Sequence, residues 1–535
     1  MTETSEIQPL SRKELRRLRE KKKKKFPLAL KIFLIVLIII IITAASIVGY
    51  AEYRYHQIHL TNVKGLKAEI PGQPINILLV GNNSRCVLNG QQASQFGTCS
   101  EVGGARSDVT MLLHINPKTN QVSILSIPRD MFVHIPDFKN SAPGRLAYAK
   151  IDAALNNGPS DLVDTIEQDF NIPIQHYVSL NFDTFQNVVN ALGGLYMYFP
   201  TPVYDLKSGL NITSPGCKYL NGTQALELVR ARMLYYKTQQ GTWQYDGNGD
   251  ISRIVRVHEF LKVLAKSVEP KIKNPFTANA ILGSVLPDLQ VDSRFSLTEM
   301  AALGWKFHNL NVNSVPTLTL PSTPISSYYF QGANFGDVVF PVQPADQQVI
   351  DQFLGQTAPQ GVNINPSTIT VTVLNGSGSY YRTQKVANEL SALGFDVVSV
   401  GTAPTEQATL ETTVYYSTPQ EQPAAQELLG YLQGTAIMGQ TSEFSTNSDL
   451  TLVVGNEVNV SQTPSFTILN SGQSTTTTSS MPTQSNTTTA TTTTSTQTTN
   501  SPTPTYSTGP LNPAQVYPAT EPLPYWDPRA CPKTN

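Results

Sequence analysis

Arginines and aspartates recur in this chain where the local sequence marks the end of a strand or the start of a helix. Arg106-Ser107-Asp108 runs directly into the apolar stretch VTMLLHI, and Pro128-Arg129-Asp130 directly follows VSILSI. Arg230 and Arg232 stand two apart in LVRARM, and Asp250 and Arg253 open the helical pattern DISRIVRVHEFLKVL. Arginine suits multiply charged phosphate, because its planar guanidinium donates bidentately and never loses its charge. Such a set points to binding, or transferring, a group that carries more than one phosphate. Taken singly, each arginine is an ordinary surface or ion-paired residue. Asp130 could simply pair with Arg129, and Asp250 could be only an N-cap. The ordered set RSD, PRD, RxR and DxxRxxR is far more specific than any member.

Those residues need a scaffold that brings distant segments together. INILLVG (75–81) is an apolar run closed by glycine and reads as a buried central strand. VTMLLHI, the polar turn NPKTN and VSILSIP form a strand–turn–strand pair. Helices are predicted around Tyr148–Leu155, stopped at Asn-Asn-Gly-Pro, and over Ser160–Phe170. HYVSLNF reads as a strand, followed by a helix N-capped by Asp183 and stopped at Gly193-Gly194, and then the strand LYMYF. The expected class is α/β, a mixed sheet covered by helices in an α–β–α arrangement. Ligands bind such sheets at strand ends, so the RSD and PRD triplets could face one crevice. Arg230 and Arg232 point the same way only if the backbone between them is extended; on a helix they would diverge by about 200°. Asp250, Arg253 and Val257 share one helical stripe.

Residues 1–31 hold 11 Lys/Arg against 4 Asp/Glu, or +7; with −1 overall, the remainder carries −8. An acidic remainder argues against nucleic acid as a partner. The uncharged stretch Ile32–Ala51 is long enough to cross a bilayer. Positive charge stays on the cytoplasmic side, so the N-terminus is expected inside and everything after Glu52 outside the cell membrane. A cleaved signal peptide is the competing reading, given Ala44, Ala45 and Ser46, but the apolar core exceeds the usual length of about 7–15 residues. The four cysteines, Cys86, Cys99, Cys217 and Cys531, all lie beyond the apolar stretch and suit an oxidising compartment. Cys86 and Cys99 could clip one polar loop. The organisation expected is a basic head (1–31), a transmembrane helix (32–51), a main domain (70–354), a linker (355–366), a second, smaller α/β domain (367–458) and a Ser/Thr/Pro-rich tail (459–535). The tail has too little apolar side chain to offset chain entropy and is expected to be disordered.

NILLVGNNSR, RSDVTMLLHINPKTNQVSILSIPRDMFV, LVRARM and DISRIVR together resemble the LytR-CpsA-Psr family of cell-wall assembly enzymes. The block beginning VTVLNGSGSYYRTQKVANELSALGFDVVSVG is similar to the LytR C-terminal accessory domain. The resemblance implies a membrane-anchored phosphotransferase. It would attach a glycopolymer, such as teichoic acid, to peptidoglycan from a polyprenyl-pyrophosphate carrier, with polyprenyl-pyrophosphatase activity on the side. It also implies a long hydrophobic groove for the lipid tail. By the same resemblance Arg106, Arg129, Arg230, Arg232 and Arg253 contact the pyrophosphate, with Arg129 and Asp250 catalytic. Mg²⁺ is implied on Asp108 and on the residue at Asn83.

Two positions depart from the family pattern. Asn83 stands where an aspartate is usual, and an amide oxygen ligates Mg²⁺ without charge, hence more weakly. Val257 replaces a glutamine, and the adjacent His258 is expected to pack or cap rather than substitute for it. The altered metal turn keeps an alternative open: a non-catalytic binder of polyprenyl phosphate or wall polymer that organises envelope assembly. The accessory block lacks clustered acids, histidines or cysteines and reads as a binding or docking module.

Overall fold

The structure, a computed structural model, describes residues 49–50, 52–83, 105–136, 147–272, 279–281, 283, 286–307, 310–356, 364–403, 409–444, 447–464 and 523–532. The chain divides into two compact units, Met1–Gln57 and Ile58–Asn535. In the first, residues 52–55 are helical. Among the described residues no helix is long and apolar enough to cross a membrane. The basic head and nearly all of the 32–51 stretch lie outside them, as do Cys86 and Cys99.

The second unit is built on a seven-stranded mixed sheet. Its strands are β1 (His59–Thr61), β2 (Ile75–Asn82), β3 (Ser107–Asn116), β4 (Gln121–Ile127), β5 (His176–Leu180), β6 (Gln290–Asp292) and β7 (Thr317–Thr319), in the order β1-β6-β5-β2-β3-β4-β7. The run INILLVG is the central strand, as its lack of polar alternation predicts. β2 runs antiparallel to β3 and parallel to β5, and β3 runs antiparallel to β4. The β3–β4 turn is set locally: Asn116 Oδ1 accepts from the backbone N–H of Lys118 and Thr119, and Asn120 takes the left-handed conformation that asparagine tolerates. The ends of β2 and β4 therefore both fall beside the start of β3, which brings Asn83, Arg106–Asp108 and Pro128–Asp130 to one edge.

The two faces of the sheet carry separate cores. Leu78, Val80, Leu112, Leu125 and Ile127 pack with α1 (Pro159–Phe170) on one side. On the other, Met111 packs with α2 (Phe182–Ala191), α3 (Gly222–Arg230) and α4 (Asp250–Ile272). This is the three-layer arrangement expected. Three local expectations are corrected. Tyr148–Lys150 is a strand paired with Phe132–His134, and only Ile151–Asn157 winds, as a 3₁₀ helix. The Tyr148 ring stacks on Phe132 and its hydroxyl meets that of Tyr415 at 2.9 Å, contacts a helix would forfeit. The cap of α2 is Asn181 rather than Asp183, its side chain accepting from the backbone N–H of Thr184.

The accessory domain holds a five-stranded sheet, with the helix Tyr380–Ala392 following its strand Thr370–Asn375. It packs on the α1 side. Tyr415, Ile437 and Val453 join that core, and Gln422 Nε2 donates to the backbone carbonyl of Glu167 at 2.9 Å. The third correction concerns the tail. Residues 523–532 lie on the α4 side, where Arg529–Ala530 pairs with the strand Leu195–Phe199. Trp526 stacks on Tyr236 at 4.1 Å, and Cys531 is disulfide-bonded to Cys217. A Trp, a Tyr and a Cys within eight residues supply the apolar area and crosslink that the Thr-rich stretch lacks.

Candidate active site

Strand ends, the α3 terminus and the α4 N-terminus converge on one cavity of about 730 Å³. Asn83, Arg106, Asp108, Arg129, Arg230, Arg232, Asp250 and Arg253 all line it. Its apolar wall comes from Pro324, Ile325, Val338 and Val339 of the hairpin that joins Ser322–Phe330 to Ala333–Pro341.

Arg129 is the hub. Nη1 donates to Asp108 Oδ1, Nη2 donates to Asp152 Oδ2 at 2.8 Å, and Nε lies 3.8 Å from Asp130 Oδ1. Burial opposes its charge, but Asp108, Asp152, Asp130 and Asp250 outweigh that and hold its pKa above the ordinary value. Asp152 is fully buried beneath it; burial pushes its carboxyl up to about 6 against the pull of Arg129 and Arg106. The sequence reading missed Asp152, since a lone acid after a short strand carries no local signal. Asp130, read as a partner of Arg129, sits closer to Lys150 (2.8 Å) and Arg232 (3.2 Å).

The RxR condition is met by a helix that stops between the two arginines. Arg230 is the last residue of α3, Ala231 is extended (φ −65°, ψ 107°), and both guanidinium groups reach the cavity. Arg230 lies over the Phe182 ring, 4.5 Å from its centroid. The Ala231 carbonyl, orphaned by the helix end, accepts from Arg256 Nη2 at 2.6 Å. Arg256 is fully buried, and its Nη1 is 3.0 Å from both Asp246 and Asp527. The C-terminal segment thus completes the support of the RxR turn.

Asp250 begins α4, and Arg253 one turn later donates to its Oδ1 at 2.8 Å. Burial alone would raise the Asp250 carboxyl; Arg253, Arg232 and Arg129 reverse this and hold it below the ordinary value. Its buried Oδ2 has no hydrogen-bond partner among the described residues. Val257 is buried in the α4 core, and His258 Nε2 meets Ser126 Oγ at 2.7 Å. Burial, with Lys262, lowers His258 to about 4, so it is a neutral packed group outside the cavity.

The donor chemistry for a hard cation is all oxygen. Asp108 and Asn83 both face the cavity, and the buried Oδ1 of Asp152 has no partner. Asn83 Oδ1 already accepts from the backbone N–H of Arg106 at 3.0 Å, which leaves one lone pair of the amide oxygen. These residues fit Mg²⁺.

A model of the LytR_cpsA_psr family matches residues 47–344, and one described as the LytR cell envelope-related transcriptional attenuator matches residues 368–457. The chain is 29% identical over 256 residues to a Corynebacterium glutamicum protein named "Probable cell wall biosynthesis protein LcpB", covering 47% of this chain and 56% of that protein. It thus spans little more than half the length of that relative. It is 28% identical over 272 residues to the polyisoprenyl-teichoic acid–peptidoglycan teichoic acid transferase TagU of Halalkalibacterium halodurans, covering 47% of this chain and 78% of that one. A LytR-Csp2A-Psr enzyme from Actinomyces oris superposes with a TM-score of 0.43 at 21% identity, over 55% of this chain and 94% of that structure.

Proposed function

The chain belongs to the LytR_cpsA_psr family, and from that premise we propose that it is a phosphotransferase. It attaches a glycopolymer, carried on polyprenyl pyrophosphate, to peptidoglycan at the outer face of the cell membrane. The observation that carries this reading is the convergence of five arginines and Asp250 on one cavity. Arg106, Arg129, Arg230, Arg232 and Arg253 bind the pyrophosphate. The acceptor hydroxyl attacks the phosphorus next to the polymer, the bond to the bridging oxygen breaks, and polyprenyl phosphate leaves. Negative charge grows on that leaving group, and the guanidinium of Arg129, already fixed by carboxylates, stabilises it without reorganising. Asp250, ionised and with Oδ2 open, accepts the acceptor's proton as the new bond forms. Mg²⁺ held by Asp108 and Asn83 would supply further neutralisation of the pyrophosphate. The hairpin wall of Pro324, Ile325, Val338 and Val339 offers apolar surface to the prenyl chain. The basic head and the apolar run behind it support a single-pass anchor with the cavity outside.

The test is incubation of the purified protein with a synthetic polyprenyl-pyrophosphoryl sugar, Mg²⁺ and peptidoglycan oligomers, read by mass spectrometry. Sugar phosphate on the oligomer and free polyprenyl phosphate are the expected products. The Asn83 substitution favours one second reading, a carrier-binding protein without turnover; tight carrier binding with no product would select it.

A further inference from the structure

A second cluster of ligand-type side chains lies at the other end of the main sheet from the arginine cavity. His176 opens β5 and pairs with Ile77 near the start of β2, whereas Asn82 and Asn83 stand at its finish. The imidazole is buried, and Phe295 stacks on it at 4.0 Å. Glu69, from the segment ahead of β2, contacts its Nε2. Glu299, in the first turn of the helix Leu297–Lys306, brings its carboxylate to the same point. One ligand atom from each of Glu69, His176 and Glu299 lies within 4.8 Å of the others.

Two features separate this cluster from an ordinary surface ion pair. The first is the far side of the imidazole. His176 Nδ1 is 3.1 Å from Asp292 Oδ2, and Asp292 is itself fixed by the backbone N–H groups of Tyr177, Arg294 and Phe295. A carboxylate so anchored accepts a hydrogen bond from Nδ1–H and aims Nε2 at Glu69 and Glu299. That is the second-shell arrangement of a metal-bound histidine. Without an ion, burial opposes the imidazolium, but the same carboxylates outweigh it and raise its pKa; a bound cation would take the place of the Nε2 proton. The second is charge. Three carboxylates surround one imidazole, so even an imidazolium leaves two negative charges uncompensated. The Glu69 and Glu299 carboxylates come within 4.8 Å of each other, with Glu299 also accepting from the Ser296 backbone N–H and hydroxyl, and two such acids at one point favour a cation between them. The adjacent basic side chains are committed elsewhere: Lys67 to Glu167 at 2.8 Å, and Arg294 Nη2 to the Lys67 carbonyl at 3.0 Å.

We propose that Glu69, His176 and Glu299 form a binding site for a divalent transition-metal ion of the zinc type. One imidazole nitrogen and two carboxylate oxygens make three protein ligands and leave room for water. The ion would crosslink three elements that are distant along the chain: the segment leading into the sheet, the sheet itself and the helix Leu297–Lys306. It is distinct in place and donor chemistry from the all-oxygen set at the cavity.

The experiment uses the full chain in detergent micelles, stripped with a chelator, equilibrated with zinc chloride and desalted. Metal content and thermal unfolding are then measured for the wild type, His176→Gln, Glu69→Gln and Glu299→Gln. The wild type should retain one zinc per chain and unfold at a higher temperature with it. His176→Gln should retain none, and each glutamate variant should bind at least about tenfold more weakly. Glu69→Gln and Glu299→Gln keep the side-chain shape, so the test holds even if His176→Gln folds poorly. Equal zinc in the wild type and the glutamate variants, or no retained zinc in the wild type, would overturn the proposal and leave a proton-sharing acid cluster.

Discussion

Replacing Arg256 with methionine should damage this protein more than replacing any arginine that lines the cavity. Arg256, Asp246 and Asp527 all have fully buried side chains, and one guanidinium nitrogen serves both acids at 3.0 Å. Arg256→Met leaves two buried carboxylates facing each other with no cation hydrogen-bonded to either; Ser252 Oγ still donates to Asp246, and Arg529 lies near Asp527. Breaking a buried ion pair from one side costs about 3–5 kcal/mol, and here two acids are orphaned at once, so about 4 kcal/mol is a conservative figure. The variant also uncaps the Ala231 carbonyl between Arg230 and Arg232. Neutralising all three groups, as Arg256→Met with Asp246→Asn and Asp527→Asn, should recover stability to within about 2 kcal/mol of the wild type, because an uncharged set carries no orphaned charge. Transferase activity should stay low in both variants, since neither restores the cap on the RxR turn. Urea titration followed by tryptophan fluorescence reads this directly, because Trp526 stacks on Tyr236 beside the triad. A loss below about 1 kcal/mol in the single variant, or a triple variant no more stable than the single one, would refute the electrostatic account.

Arg129→Lys keeps one charge but loses the planar fork that spans Asp108 and Asp152; turnover should fall by about 10²–10³-fold, and near-normal turnover in a folded protein would remove Arg129 from the mechanism. Asn83→Asp should lower the Mg²⁺ concentration needed for half-maximal transfer, and Asp108→Ala should raise it sharply; identical Mg²⁺ profiles in all three proteins would defeat the metal assignment. Burial, and then their mutual repulsion for Asp169 and the charge of Asp346 for Glu411, raise both carboxyls well above the usual range where the accessory domain meets the main domain. Their folded pKa values exceed the unfolded ones, so the stability they contribute is complete below about pH 4 and declines as pH rises through the folded values. Hydrogen exchange in the strand Thr412–Tyr416 should therefore quicken, beyond the intrinsic pH effect, as pH rises above the ordinary carboxyl range of about 4, and Asp169→Asn with Glu411→Gln should flatten the rise.

What was legible in the sequence had a local cause. INILLVG carries no polar alternation, so its place at the centre of the sheet follows from its own residues, and Asn116 and Asn120 dictate the β3–β4 turn without outside help. Once that hairpin is placed, the RSD and PRD triplets must meet. The misses depend on partners far along the chain. Tyr148 reads as helix until Phe132 and the hydroxyl of Tyr415 claim it. Asp152 and Asp527 look like any other acids, because what makes them matter is Arg129 and Arg256, 23 and 271 residues away. The ordered end of the tail did leave a trace in PYWDPRAC, but it was averaged into the threonine-rich composition around it.

The charge balance of the cavity explains why so many arginines can sit together before any substrate arrives. Its lining holds seven basic side chains (Arg106, Arg129, Lys150, Lys207, Arg230, Arg232, Arg253) and five acidic ones (Asp108, Asp130, Asp205, Asp250, Asp337), a balance of +2 in a chain whose net charge is −1. An unopposed cluster of five guanidinium groups would repel itself and swing into solvent. Here Arg129, Arg232 and Arg253 are each held by a carboxylate, so their directions are set when the chain folds. A ligand entering such a cavity need not order flexible side chains, and the entropy cost of binding falls accordingly. The same balance selects for charge. The pyrophosphate diester proposed as substrate carries two negative charges, which match the surplus, and gains more at the leaving oxygen as its bond breaks. In the proposed transfer, the gain on reaching the transition state must come from where the charge moves, onto the leaving oxygen beside guanidinium groups already fixed in place, and not from the net balance.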